Sequence, residues 1–207
     1  MDDFKSYPKI EQIGKLHMTI TQKIHGTNAQ IFIEKLPDHH VGEVWRIRAG
    51  SRTRWLSRVD DNYNFAEWVS EYQQELMRFL SEGRHFGEWC GNGINSGEGL
   101  PDKRFVLFEW WKWKDKELPL NMMTVPVLYS GAFSYEKIDE VMNELKEKGS
   151  RLAPGYMHPE GVVIDINGQK FKKVFDPEDT KWIRKKAPRI QSTPLADVSH
   201  LSFRDAF

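Results

Sequence analysis

Only one cysteine, Cys90, occurs in 207 residues. That excludes an internal disulfide and any cysteine-built zinc cluster, and it points to a reducing, cytoplasmic setting. Long apolar runs are missing too. No stretch approaches the length of a membrane-crossing helix, so no membrane partner is expected. Net charge is absent, because thirty basic and thirty acidic residues cancel. Total charge therefore does not announce a nucleic-acid binder, and only its distribution can argue for one. No internal repeat or low-complexity tract appears. The glycine-rich stretch "CGNGINSGEGLPDK" lacks the Gly-Lys-Ser/Thr ending of a Walker phosphate loop. His39-His40 is too short and too isolated for a metal site and reads as loop.

What is present suits a globular body. Hydrophobic residues make up 39% and aromatics 13%, with eight Trp, enough for one good-sized core. Charge is concentrated toward the C-terminus. Between Gln169 and Arg189 eight basic residues face three acidic ones, a cationic stripe suited to phosphates.

Periodicity supplies the elements. Strands are expected over 17–23, 28–34 and 43–49, from alternation and β-rich content. The run "FAEWVSEYQQELMRFL" places Phe65, Trp68, Val69, Tyr72, Leu76, Phe79 and Leu80 three or four apart, which predicts one helix stopped by Gly83. Strands are expected at "RHFGEW" and "RFVLFEWW". A second helix is expected after Ser134 as N-cap, with Ile138, Val141, Met142 and Leu145 on one face and Gly149 at its end. "GVVIDI" and "QKFKKVF" are expected to pair as a hairpin around Asn167-Gly168. After Pro177 a short basic helix is expected. The order predicts an α+β fold of mainly antiparallel sheets with inserted helices. It also predicts a main domain over 1–175 and a short basic tail over 176–207.

The segment "ITQKIHGTNAQIFIE" sets a lysine, Lys23, beside Gly26 between two strands. Read alone, Lys23 is a polar link at a strand end. The alternative is an amine held at the mouth of a pocket by a tight bend, which Gly26 would permit by adopting positive φ. Downstream, Lys170 and Lys172 lie two apart on one strand, so both ammonium groups share a face. Such a pair suits either a bound phosphate or a solvated edge strand.

"KIHGTN" resembles the nucleotidyl-acceptor motif Lys-x-(Asp/His/Asn)-Gly of the covalent nucleotidyltransferases, and specifically that of the RNA ligase 2 family. The family's other motifs follow in order. "SRTR" supplies the basic motif, with Arg52 the best match and Arg48 and Arg54 close by. "FGEWCGNGIN" resembles the F-G-E strand and places Glu88 on the nucleotide ribose. "RFVLFEW" resembles the strand whose aromatic, here Phe108, stacks on the purine. Glu109 stands where the family usually has Asp. "PEGVVI" resembles the E-G-x-V motif, and "QKFKKV" the closing lysine pair.

The resemblance implies a nucleotidyltransferase (ATP-grasp-like ligase) domain acting as an ATP-dependent RNA ligase, with RNA ends as substrate. Lys23 would take AMP from ATP with Mg²⁺ or Mn²⁺, and Lys170 and Lys172 would assist. Arg52, Glu88, Phe108, Glu160, Lys170 and Lys172 would bind nucleotide, with Glu160 also near the metal. A lysine that is almost wholly protonated near its ordinary pKa of ~10.4 would need activation, expected from Lys170, Lys172 and the metal. A minimal DNA ligase, a capping-type guanylyltransferase and a non-catalytic nucleotide- or RNA-binding module stay open as alternatives. Thirty-five residues follow Lys172, so a full C-terminal RNA-ligase domain is not expected. The stretch "TKWIRKKAPR", with Trp182, Lys185 and Lys186, is the candidate substitute for RNA contact.

Overall fold

The computed structural model describes residues 5–8, 10, 12–38 and 42–175. The expected helix after Pro177 and the tail over 176–207 lie outside these residues.

Two sheets build the body. Sheet A has the strand order β7-β1-β8-β9, from β1 (His17–Lys23), β7 (Val127–Ala132), β8 (Gly161–Ile166) and β9 (Gln169–Val174). Sheet B has the order β3-β2-β4-β5-β6, from β2 (Thr27–Asp38), β3 (Gly42–Ser51), β4 (Gly83–Cys90), β5 (Arg104–Leu107) and β6 (Met123–Thr124). Every pairing is antiparallel except β5 with β6. The α+β expectation is met.

Each sheet buries one face under helix. On sheet A, Met18, Ile20, Val162 and Ile164 meet Ile138, Val141, Met142 and Leu145 of α3 (Tyr135–Lys148). Each such side chain contributes about 1.5–3 kcal/mol on full burial. Ser134 caps α3 as expected, its Oγ accepting from the Lys137 amide, and Gly149 follows the last turn. On sheet B, Ala29, Ile31, Ile33, Phe105 and Leu107 pack against Phe65, Val69, Leu76 and Leu80.

The expected single helix over these last residues is two, α1 (Phe65–Glu71) and α2 (Gln73–Leu80). Tyr72 leaves helical dihedrals at φ −103°, ψ 23° and bends the axis. The apolar face survives the bend, because Trp68, Tyr72 and Phe79 all reach the same core. Gly83 does not stop the helix. Ser81 does, at φ +62°, and Gly83 opens β4. The expected strand through Trp111 ends at Leu107 and turns into a single 3₁₀ turn over Trp110–Lys112. The β8–β9 hairpin forms as expected, with Asn167 at φ +48° and Gly168 at φ +91°, the left-handed pair of a tight two-residue turn.

The opposite faces of the two sheets approach each other at one end. Ile24, Cys90, Val106, Val125 and Leu152 close a third small core there. Beside that seam lies the cavity described next.

Candidate active site

A cavity of about 420 Å³ opens between the sheets, and its walls include Lys23, Arg52, Glu88, Phe108 and Lys170. These residues come from five separate segments. Lys23 is the last residue of β1, so sheet pairing fixes its backbone while its side chain emerges at the strand end. Register places Val163 and Asp165 of β8 opposite Lys172 and Lys170 of β9. Val163 and Asp165 line the cavity, so both lysines are on the cavity-facing side of sheet A. Lys170 is a wall residue and pairs with Asp165 at 2.7 Å. Lys172 lies outside the wall. β9 is an exposed sheet edge, where lysines also discourage edge-to-edge pairing.

The side chain in direct contact with Lys23 is a carboxylate. Lys23 Nζ donates to Glu160 Oε2 at 2.5 Å, a half-buried ion pair. Glu160 is not part of the wall but reaches the nucleophile candidate from the irregular segment just before β8.

Gly26 has a different role from the one expected. It is not at positive φ. A Cβ on it would meet the Trp89 carbonyl oxygen at 2.4 Å and Cys90 Cβ at 2.7 Å. Gly26 is needed because the chain after Lys23 presses directly on the β4 backbone. The Gly26 amide then donates to Glu88 Oε1 at 3.2 Å. Burial pushes the Glu88 carboxyl up to about 7, against the opposing pull of Lys23, the Gly26 amide and Arg52.

Of the three arginines, Arg52 is the one in the wall. Arg48 stacks on Trp55, and Arg54 pairs with Asp60 at 2.6 Å. Phe108 sits just past β5, half-buried, with its amide donating to the Phe86 carbonyl. Glu109 is held by Lys112 at 2.9 Å.

Sequence reading missed a buried polar clamp around Lys23. Glu98, fully buried in the glycine-rich loop, accepts from Gln22 Nε2 at 2.6 Å and from Ser150 Oγ at 3.1 Å. Its other oxygen accepts from the His25 amide at 3.1 Å. Gln22 is 1% exposed, and its Oε1 accepts from the Arg151 amide at 2.7 Å. Residues on both sides of Lys23 are thus tied to one carboxylate. Burial pushes the Glu98 pKa up, and its donors, the His25 amide first, oppose that. No local pattern marks a loop glutamate as buried. Trp110 and Trp111, which also line the cavity, had a signal in the run "EWWKWK".

A family model for RNA ligases matches residues 16–175. The chain belongs to the RNA ligase family. Its fold is shared with solved structures of a Naegleria gruberi RNA ligase. One variant with ATP and Mn is 17% identical at TM-score 0.55, covering 84% of this chain and 53% of that one. A variant with AMP and Mn is 18% identical at TM-score 0.52, covering 84% and 52%. An apo variant is 18% identical at TM-score 0.53, covering 82% and 52%. The chain spans about half the length of these relatives, and at such identity the likeness is one of fold. Among curated proteins, none matches. Family membership accounts for the motif order. Among the described residues, no helix is long and apolar enough to cross a membrane.

Proposed function

We propose that this chain is an ATP-dependent RNA ligase that works through AMP carried on Lys23. The observation that carries the reading is the convergence of Lys23, Arg52, Glu88, Phe108 and Lys170 on one cavity. In this reading residues 1–175 are the adenylation domain, 176–207 a short basic tail, and the setting cytoplasmic. Phe108 offers its ring to the purine and Glu88 its carboxyl to the ribose. Arg52 and Lys170, with Lys172 on the same face, meet phosphates.

The deprotonated Lys23 amine attacks the α-phosphorus of ATP. A P–N bond forms, the P–O bond to pyrophosphate breaks, and the lysine proton goes to solvent. AMP then passes to an RNA 5′-phosphate, and a 3′-hydroxyl displaces it to join the ends. The negative charge that builds on the phosphoryl oxygens is met by fixed cations, so the protein's contribution is mostly positioning and electrostatics.

Among the described residues no group of three His, Cys, Asp or Glu side chains forms a metal cage. Mg²⁺ does not need one, because it takes one or two carboxylates, substrate phosphates and water. Glu160, in contact with Lys23, and Glu88, in the wall beside it, offer carboxylates that fit that requirement. Such an ion, or Mn²⁺ as in the Naegleria gruberi structures, would supply positive charge at the phosphate oxygens.

The test is intact mass after incubation with ATP, GTP or NAD⁺, each with Mg²⁺. One added AMP from ATP, lost in Lys23→Ala, is expected. An unmodified mass under every condition would sink the reading, and a GMP adduct would replace it with a capping-type one.

A further inference from the structure

The surface of sheet B that carries Glu88 does not end at the cavity. On β4 the same face holds Phe86 and Arg84, opposite Gln30 and Phe32 of β2. Phe86 is one pleat from Glu88, about 7 Å along the strand, and is 41% exposed. Trp55, 38% exposed, lies against Phe32 with ring centroids 6.0 Å apart. The Arg48 guanidinium sits 3.7 Å from the Trp55 ring centre, and Arg84 lies 4.4 Å from Phe32 and 5.4 Å from Trp55. The acid on this stretch of β2, Glu34, is taken up by Arg46 at 2.7 Å. Beyond the cavity the face is therefore cationic and built from flat rings and flat guanidinium planes.

A purely structural sheet face has no need to expose two large aromatics next to arginines that have no acidic partner among the described residues, Arg84 donating only to the neutral Gln30 amide oxygen at 2.6 Å. Nucleobases stack on both kinds of plane, and guanidinium N–H groups also reach phosphate oxygens. We propose that this face is the track on which a single-stranded RNA end runs out of the cavity. One base stacks on Phe86 and the next on the Trp55–Arg84 surface, while Arg48 and Arg84 meet the phosphates between them. The proposal rests on the ligase reading above and supplies its polynucleotide contact.

Fluorescence anisotropy of a labelled, 5′-phosphorylated single-stranded RNA tests it on the full chain across a range of salt. Phe86→Leu and Trp55→Ala are expected to weaken binding about 5- to 150-fold, the range for loss of one stacked base. Arg84→Gln is expected to lower the slope of log affinity against log salt by about one. Phe86→Leu keeps an apolar side chain on the surface, so its loss reads stacking and not folding. Its AMP adduct is expected at the wild-type level. Unchanged affinity in all three variants overturns the track, and so does a wild type that binds no RNA. If the adduct forms while the variants bind normally, the track falls and the Lys23 reading stands. If no adduct forms while Phe86→Leu still loses RNA, the Lys23 reading falls and the track stands.

Discussion

Glu88 is the residue whose environment conflicts most with its charge. Its carboxyl titrates near 7 instead of near 4.5 because burial outweighs Lys23 and Arg52. The folded state therefore holds a proton that the unfolded chain has lost between those two values. Stability falls as pH rises through that window and is flat above it. Glu88→Gln removes the penalty. Relative to wild type, the variant is expected to match at pH 4.5 and gain on the order of 3 kcal/mol by pH 8. Melting temperature across pH 4.5–8 checks this, and a pH-independent difference would contradict it. A wild-type carboxylate in this state costs stability that a bound nucleotide or ion can recover. Gly26 shows the other side of residue-scale reading. Its identity was visible in "KIHG", but the reason for it, a backbone passing at van der Waals contact, exists only in three dimensions.

At the scale of elements, what the sequence made legible was what local chemistry decides. The Ser134 cap, the 3.6-residue spacing of α3, the Asn167-Gly168 turn and the alternation of β1 each act within a few residues, and each is found where expected. The bend at Tyr72 was not legible, since the apolar spacing runs straight through it. Short β6 and the edge strand β7 have no strong alternation of their own and exist because β5 and β1 offer partners. The site divides the same way. Motif order singled out Lys23, Arg52, Glu88, Phe108 and Lys170, which line one cavity, whereas the Glu160 ion pair and buried Glu98 depend on distant segments meeting. The β8–β9 turn permits a clean test of a local signal. Gly168 at φ +91° has open space around a would-be Cβ, so Gly168→Ala meets only backbone strain. Chemical denaturation is expected to show a loss of about 1 kcal/mol, and no loss would mean that the turn relaxes at no cost.

For the molecule as a whole, the cavity is the place where two separately cored sheets share one wall. Lys170 comes from sheet A, and Glu88 from sheet B. On the proposed reading, a nucleotide seated there joins both. ATP at a hundred times its dissociation constant is expected to add about 2.7 kcal/mol, or about 5–10 °C in melting temperature for a body of this size. Lys23→Ala should keep this shift, because seating does not require the covalent bond. A melting temperature insensitive to saturating ATP would show that the cavity is not the nucleotide's seat.

The clamp on Lys23 also has a consequence for the order in which the proposed site comes into being. Lys23 and its turn leave the ribosome early, yet Glu98 follows some seventy residues later and Ser150 about fifty after that. Only when all three stretches have met are Gln22 and the His25 amide held from both sides. A nascent chain interrupted before Ser150 therefore carries the lysine without its finished seat. The proposed nucleophile is made first and aimed last.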